Sequence, residues 1–520
     1  MTVWKKAAVI ETILLVGLFF AYAGEVPPDV NEAHYLVKAK NFWQPEWCQN
    51  DLLAASGKAH ATFYVLFGWP TMFLSLTATI WIARFVGWTM LAFGLQRLSW
   101  AVLPRSYLSL VVAVVWIAGI EYCDLAGEWV VGGIEAKVPA YGLVLFGLSQ
   151  LVQRRWHLVW ILFGAASAFH VLTGGWSVVA GMITWWFTER AEDDRRPLIS
   201  LSLFLGGLIA LCGLLPAIAL SAGTSAEDAT LAARIYSYYR IKHHLLPADF
   251  YMVWFLRHGA LIIATALLAR IYWQQASVRR IGWFIAGAVL IALAGLIVGL
   301  LPAVAPDLAA KLLRYYWFRL TDATVPLMAG LMVAQLIADN TPKYRWTGIA
   351  IFAVATILIA GSSYERSRLG IPPSASNRLV GLPPAPAADQ QQAFADWLAV
   401  CRWARASTPT DEVFLTPRHQ QTFKWYTGRA EVVNWKDVPQ DTASLKEWHR
   451  RFQEVYPQRL GFVRVTIRYA KLREFRQRYG VRYMIVDRRM VGPKLPLIQL
   501  YPAGEEQNET YAVYELPRPE

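Results

Sequence analysis

The sequence predicts a mostly α protein: a polytopic transmembrane helix bundle of about eleven spans, with a C-terminal extracytoplasmic α/β domain. Three observations predict it. Apolar runs recur through the first two thirds of the 520 residues, several close to the roughly 20 residues that cross a bilayer core. Short basic clusters between those runs alternate to one side, and acidic loops fall on the other. After Ser363 the apolar runs stop, and a Pro/Ala-rich stretch leads into mixed strand-like and helical patterns.

A chain that is 56% hydrophobic with 24 Trp does not have the composition of a soluble globular protein. Its net charge of +13 suggests nucleic acid at first sight. The basic residues are instead scattered in clusters beside apolar runs, which is a topology signal. No basic patch falls on a cytoplasmic domain, so nucleic acid is not an expected partner. Four Cys are too few for a disulfide framework; Cys48 and Cys123, in loops expected outside, could form a single bridge.

Lys5 and Lys6 precede the first run, Ala7 to Ala23, so the positive-inside rule places the N-terminus in the cytoplasm and Asp29 outside. With no small-residue cleavage site before Pro27-Pro28, this run reads as a retained signal anchor. Asn31 to Trp43 reads as an interfacial helix ended by Pro45. Ala61 to Leu76, interrupted by Pro70, is either a short span or a re-entrant piece. Spans follow at about Thr79 to Val102, Leu108 to Ile120, Val138 to Leu151 and Leu158 to Leu172. A tight outside turn at Gly174-Gly175 is expected before Trp176 to Phe187. Leu198 to Leu220 then leads to a long outside loop, Ser221 to Asp249. Phe250 to Tyr272, Ile281 to Leu301, Ala323 to Ile337 and Trp346 to Ser362 complete the bundle. Arg105, Arg154-Arg155, Arg190, Arg195-Arg196, Arg279-Arg280, Lys343 and Arg345 fall inside. The domains expected are residues 1–363 (bundle), 364–388 (linker) and 389–520 (α/β domain), the last outside because the span count is odd. This places the chain in the cytoplasmic membrane, in contact with its lipids.

Within the α/β domain, Asp389 to Ala406, Ser444 to Val455 and Ile467 to Tyr479 show helical spacing. Val413 to Leu415, Glu431 to Val433, Arg482 to Val486, Leu497 to Tyr501 and Tyr511 to Tyr514 read as strands.

Chemistry is expected in the loops. Asp29 and Glu32 lie one helical turn apart. One reading is a general base acting on an acceptor hydroxyl; the other is a capping pair, Asp29 at the N-cap and Glu32 reaching back to the backbone. Their place at the outer mouth of the bundle favours the first. The next outer loop holds Glu121, Asp124, Glu128, Glu135 and Lys137, with Glu128 and Glu135 in a Gly-rich apolar setting where a charge needs a reason. Gly132-Gly133 would let backbone approach a ligand closely. If a divalent metal such as Mg or Mn is used, Asp29, Glu32, Asp124 and Glu128 are its candidate ligands. His170 lies in an apolar span, either as an interhelical hydrogen bonder or as a site residue. Arg234, Tyr236, Arg240, Lys242, His243 and His244 in one outer loop, and Arg314, Tyr315 and Arg319 in another, put cations among aromatics where outer cations are unexpected. Such a cluster suits a lipid-linked phosphate and its sugar, or else an aromatic belt with snorkelling Arg. No phosphate loop, dinucleotide fingerprint or zinc spacing is present, so no motif calls for a cofactor.

The segment Asn31-Glu32-Ala33-His34-Tyr35 after the first span resembles the Asp-Glu-x-His-Phe type motif of GT-C glycosyltransferases, which include protein O-mannosyltransferases and lipid A aminoarabinose transferases. Gly127 to Lys137 and Phe169 to Trp176 look like a bacterial membrane-protein family of unknown function in the same superfamily. The resemblance implies that an acid of the first outer loop is the catalytic base, here Glu32, which holds the motif position, or Asp29. It also implies His34 and Tyr35 at the substrate. Asn31 stands where the family's pair has its first acid, so it cannot be the base. The implied activity is transfer of a sugar from a polyprenyl-phosphate-linked donor to a glycan, lipid or protein acceptor outside the cytoplasmic membrane. A lipid or polyol transporter or flippase, and an inactive glycan-binding relative, are the alternatives. A transporter should carry broken helices and midplane charges, whereas the charges here gather at one mouth.

Overall fold

The structure, a computed structural model, describes residues 3–190, 194–375, 385–456 and 468–518. Helix α1 (Val3–Ala23) leads through Pro27-Pro28 to α2 (Glu32–Trp43). The short α3 (Leu52–Ala55) and α4 (Ala61–Gly68) pack against α2. Gly68 lies so close to α2 that a Cβ there would sit 2.8 Å from that of Ala39. A 3-10 turn at Trp69–Met72, with Pro70 inside it, ends α4 after two turns, so the aromatic run from Ala61 does not make a full span.

Then come α5 (Leu76–Val102), α6 (Leu108–Cys123), α7 (Lys137–Val152), α8 (Trp156–Phe169), α9 (Val171–Thr188) and α10 (Leu201–Ala219). The expected outside turn at Gly174-Gly175 is absent: both glycines lie inside α9. The break comes earlier, at His170, which has extended backbone and whose ring Nδ1 lies 3.0 Å from the Thr173 hydroxyl in the first turn of α9. Gly174 serves contact instead, since a Cβ there would lie 2.1 Å from the Ser167 nitrogen.

The expected loop 221–249 is largely helical: α11 (Ala226–Arg234), a wide π turn (Ile235–Arg240) and α12 (Lys242–Leu245). α13 (Met252–Ile271), α14 (Ala276–Val298), α15 (Pro306–Leu313), α16 (Arg319–Ala338) and α17 (Pro342–Leu369) follow. Seven described helices are long and apolar enough to cross a membrane, and α6, α7 and α8 are shorter apolar helices. α16 is buried along its length at the centre. α17 continues to Leu369, so residues 364–369, expected in the linker, are its last turns; the middle of the Pro/Ala-rich stretch, 376–384, lies outside the described residues.

The C-terminal domain runs α18 (Ala387–Ser407), β1 (Val413–Leu415), α19 (Phe423–Thr427), β2 (Ala430–Glu431), α20 (Thr442–Val455), α21 (Tyr469–Tyr479), β3 (Tyr483–Asp487), α22 (Arg488–Val491), β4 (Ile498–Tyr501) and β5 (Tyr511–Glu515). Ile467, expected to open α21, lies outside the described residues. The sheet order is β2-β1-β3-β5-β4, with β1 parallel to β2 and β3, and β5 antiparallel to β3 and β4. Trp397 and Cys401 of α18 cover one face, while Trp448 and Phe452 of α20 and Phe475 of α21 cover the other. That second core continues into Ile235, Tyr236 and Leu313 of the bundle, so the domain is packed on the bundle. Polar contacts reinforce the join: Gly57 N–H donates to Asp441 at 2.9 Å, Thr442 N–H to the Leu220 carbonyl at 3.1 Å, and Glu431 N–H to Asp51 at 3.1 Å. All four cysteines are free, and a Cys48–Cys123 bridge is not formed: Cys48 is buried beside Val37 and Ala54.

Candidate active site

A cavity of about 670 Å³ opens between the end of the bundle that carries α2 and the C-terminal domain. Asp29, His34 and Tyr35 line one wall; Glu128, Glu135 and Lys137 come from the loop between α6 and α7; His170, Arg240, His243, His244, Arg314 and Arg319 complete it. The sequence thus brings five separated segments to one place.

The two carboxylates that start this arrangement differ sharply. Glu32 is 1% exposed and fully engaged. Arg84 holds both its oxygens, Nε to Oε1 at 2.7 Å and Nη2 to Oε2 at 2.6 Å. Ile134 N–H donates to Oε1 and Asp29 N–H to Oε2, each at 2.7 Å. Burial raises Glu32 above the usual carboxylate range against the pull of Arg84, but its lone pairs are occupied and it does not line the cavity, so an acceptor's proton does not reach it. The preference for Glu32 as base therefore lacks geometric support. Its expected reach back to the Asp29 N–H is made, but Asp29 is not the N-cap: α2 opens at Glu32 with Asn31 in that position. Asp29 does line the cavity. Among the described residues its oxygens accept only two backbone bonds, from Val30 at 2.5 Å and from Gly133 at 3.0 Å. Gly133 is required there, because a Cβ would fall 2.7 Å from Asp29 Cβ and 2.8 Å from Glu32 Cδ. Gly133 thus lets the backbone of Gly133 and Ile134 come onto the two acids.

The 124–136 loop is fixed from α16. Asp322, fully buried, accepts the N–H groups of Leu125 and Ala126, both at 2.9 Å. Beside it, burial and the Asp322 charge push Asp124 up to about 7. Beyond, opposite charges alternate. Asn31 donates to Glu135 at 3.0 Å; Lys137 lies 2.8 Å from Glu135 and 3.3 Å from Glu128; Arg319 Nε lies 2.9 Å from Glu128. Arg319 also donates to His170 Nε2 at 2.8 Å, and the His170 ring stacks on His60 at 5.4 Å. Lys137 sits over the Trp129 ring at 4.0 Å. These charges are buried but paired.

The side facing the C-terminal domain is different. Arg240 and Lys436 meet no carboxylate within ion-pair distance among the described residues, and nor does Arg314, which lies over the Tyr236 ring at 5.2 Å. Burial, reinforced by neighbouring cations, pushes Lys436 down to about 8, and His34 and His243 to about 3 and 4. His244 is pushed to about 3 by burial and His243; its Nδ1 donates to the Ala126 carbonyl at 2.5 Å. Seven cations line the cavity (Lys38, Lys137, Arg240, Arg314, Arg319, Arg366 and Lys436) against four carboxylates (Glu25, Asp29, Glu128 and Glu135). The cavity is electropositive and suits an anionic ligand.

Besides Glu32 and Asp124, three expected site residues stand off the cavity. Arg234 pairs with Asp307 at the surface, Lys242 pairs with Asp249 at 2.7 Å, and Tyr315 is 49% exposed, its carbonyl accepting from Trp176 at 2.8 Å. Sequence reasoning missed Arg84, Lys38, His60, Arg366 and Lys436. Arg84 carried a signal: a cation inside an apolar span needs a partner. Lys436 carried none, because only the docking of the domain brings it here. Among the described residues no three His, Cys or carboxylate side chains converge as a metal would need. Of the four candidate ligands, Glu32 and Glu128 are already paired with Arg84, Lys137 and Arg319.

The family model that matches is a domain of unknown function (DUF6798), over residues 395–455 in the C-terminal domain. No curated protein matches the chain. Among solved structures the chain is similar to ArnT from Cupriavidus metallidurans bound to undecaprenyl phosphate, with 11% identity, a TM-score of 0.51, and coverage of 99% of this chain and 98% of that one. It also matches the apo oligosaccharyltransferase of Archaeoglobus fulgidus, with 10% identity over 94% of this chain and 70% of that one, at a TM-score of 0.43. The first likeness shows a GT-C fold.

Proposed function

We propose that the chain is a glycosyltransferase that moves a sugar from a polyprenyl-phosphate-linked donor to an acceptor on the outer side of the cytoplasmic membrane, with Asp29 as general base. The observation that carries this reading is Asp29 itself: a carboxylate on the wall of an electropositive cavity, held by two backbone N–H groups and free of any cation partner among the described residues. The GT-C fold, shared with an ArnT that binds undecaprenyl phosphate, supports the donor class.

In the reaction, the acceptor hydroxyl oxygen attacks the anomeric carbon, and its proton passes to Asp29. The bond from that carbon to the donor phosphate oxygen breaks, and polyprenyl phosphate leaves with the electron pair. Arg314, which has no carboxylate to satisfy, neutralises the leaving phosphate, and a guanidinium can do so with two parallel bonds. Arg319 is committed to Glu128 and His170, and holds the wall in place. The opening faces the C-terminal domain, so transfer occurs where that domain lies, outside the cytoplasm.

The test is consumption of a lipid-linked sugar. Purified protein in nanodiscs, supplied with undecaprenyl-phosphate hexoses and a cell-envelope extract as acceptor, should release free undecaprenyl phosphate. If no hexose tried is consumed although each lipid binds, the reading fails.

A further inference from the structure

The cavity's cations fall into two groups. Lys137 and Arg319 already neutralise Glu128 and Glu135. Lys38 is also occupied: its ammonium donates to Ser56 at 2.6 Å, the Gly57 carbonyl at 2.7 Å and the Leu53 carbonyl at 3.4 Å. Arg240 and Lys436 are not neutralised. Arg240 is 6% exposed, its Nε donates to the Trp435 carbonyl at 2.8 Å, and its guanidinium lies over the Trp435 ring at 4.8 Å. That contact places it beside Lys436, the next residue in the chain. Near both, the buried Nδ1 of His34 has no hydrogen-bond partner among the described residues. Each of these groups faces the cavity.

Sheltering two cations side by side without an anion is costly. The cost shows in the ammonium of Lys436, which burial and Arg240 push down to about 8. The arrangement is built for a negative group from outside. Arg314, over the Tyr236 ring in the same cavity, comes instead from the bundle between α15 and α16. Lys436 comes from the C-terminal domain, so this part of the cavity exists only because that domain is docked. Asp29 is close enough for its charge to act on Lys436.

We propose that Arg240 and Lys436 form a second anion site that binds an acidic acceptor, a sugar or polyol bearing a phosphate or carboxylate. This rests on the glycosyl-transfer reading. The anion anchors the acceptor on the domain side, and a neighbouring hydroxyl is thereby presented to Asp29. His34 supplies a neutral hydrogen-bonding nitrogen at the same place.

The test is equilibrium binding to full-length protein in nanodiscs with four probes: glucose 6-phosphate, glucuronate, methyl glucoside and undecaprenyl phosphate. Wild type should bind one or both charged sugars and not the neutral one; whichever binds tighter tells phosphate from carboxylate. Lys436→Gln and Arg240→Gln should each weaken charged-sugar binding by about tenfold or more, leaving undecaprenyl phosphate binding unchanged. Lys436→Gln removes an ammonium that bonds to no protein group among the described residues, so it should fold even if the Arg240 variant does not. Equal binding of neutral and charged sugars, unchanged affinity in Lys436→Gln, or no binding of either charged sugar would overturn the proposal. Charged-sugar binding with the stated losses but without undecaprenyl phosphate binding keeps the anion site and removes the glycosyl-transfer reading. Donor consumption with indifference to Lys436 does the reverse.

Discussion

Arg84 of α5 and Glu32 of α2 form a two-bond ion pair, 2.6 and 2.7 Å long, with both side chains 1% exposed. Arg84 also donates to the Glu25 carbonyl at 2.6 Å, and so ties a helix of the bundle to both ends of the first loop. Removing one partner of such a pair leaves a buried charge without compensation, at a cost of about 3–5 kcal/mol. Arg84→Met and Glu32→Gln should each lower the unfolding midpoint clearly, measured by thermal unfolding in nanodiscs. A double variant, Arg84→Met with Glu32→Gln, should recover part of the loss.

A second buried cluster joins the domain to the bundle. Lys424 lies 3.2 Å from Asp51 and 2.5 Å from Glu431, and also bonds Asp437. One lysine faces three acids, and burial followed by the neighbouring acids pushes Glu431 up to about 7, against the pull of Lys424. A raised acid pKa means that the folded state holds its proton after the unfolded chain has lost it. Stability should therefore fall as pH rises from about 4.5 to about 7. Glu431→Gln should flatten that slope, read as unfolding midpoint against pH.

Much of the bundle was legible because apolar runs and basic clusters agree independently. The same rules failed at Gly174-Gly175, which lies inside α9, Gly174 serving close helix contact rather than a turn. In the site, Asp29, Glu128, Glu135, His170 and Arg314 could be picked out as polar groups in apolar or outer settings. Which of Asp29 and Glu32 is free could not, because that depends on Arg84, more than fifty positions away on another helix. Lys436 was likewise hidden, since it reaches the cavity through tertiary packing alone.

Arg314 should be the donor-phosphate contact. Arg314→Ala should weaken undecaprenyl phosphate binding by about tenfold or more, and Arg314→Lys should restore only part of it, because an ammonium lacks the two-pronged geometry. Unchanged lipid affinity in the Ala variant removes this role.

The alternating charges predict an orientation. Reporter fusions at Arg154, Arg195 and Arg279 should report cytoplasm, and fusions at Ser225 and after Ser363 should report the outside. A C-terminal domain reporting cytoplasm would place the cavity on the wrong side for the proposed chemistry.

The central claim is that Asp29, and not Glu32, takes the acceptor's proton. Removing a general base costs about 10²–10⁴-fold in rate, whereas Asn at position 29 can still accept the Gly133 N–H through its side-chain oxygen and should leave the fold intact. The decisive measurement is the single-turnover rate of undecaprenyl phosphate release by Asp29→Asn, with its unfolding midpoint recorded on the same sample. A rate lowered by about 10²-fold or more with an unchanged midpoint is the expected result. Transfer at the wild-type rate by a well-folded Asp29→Asn protein would contradict it.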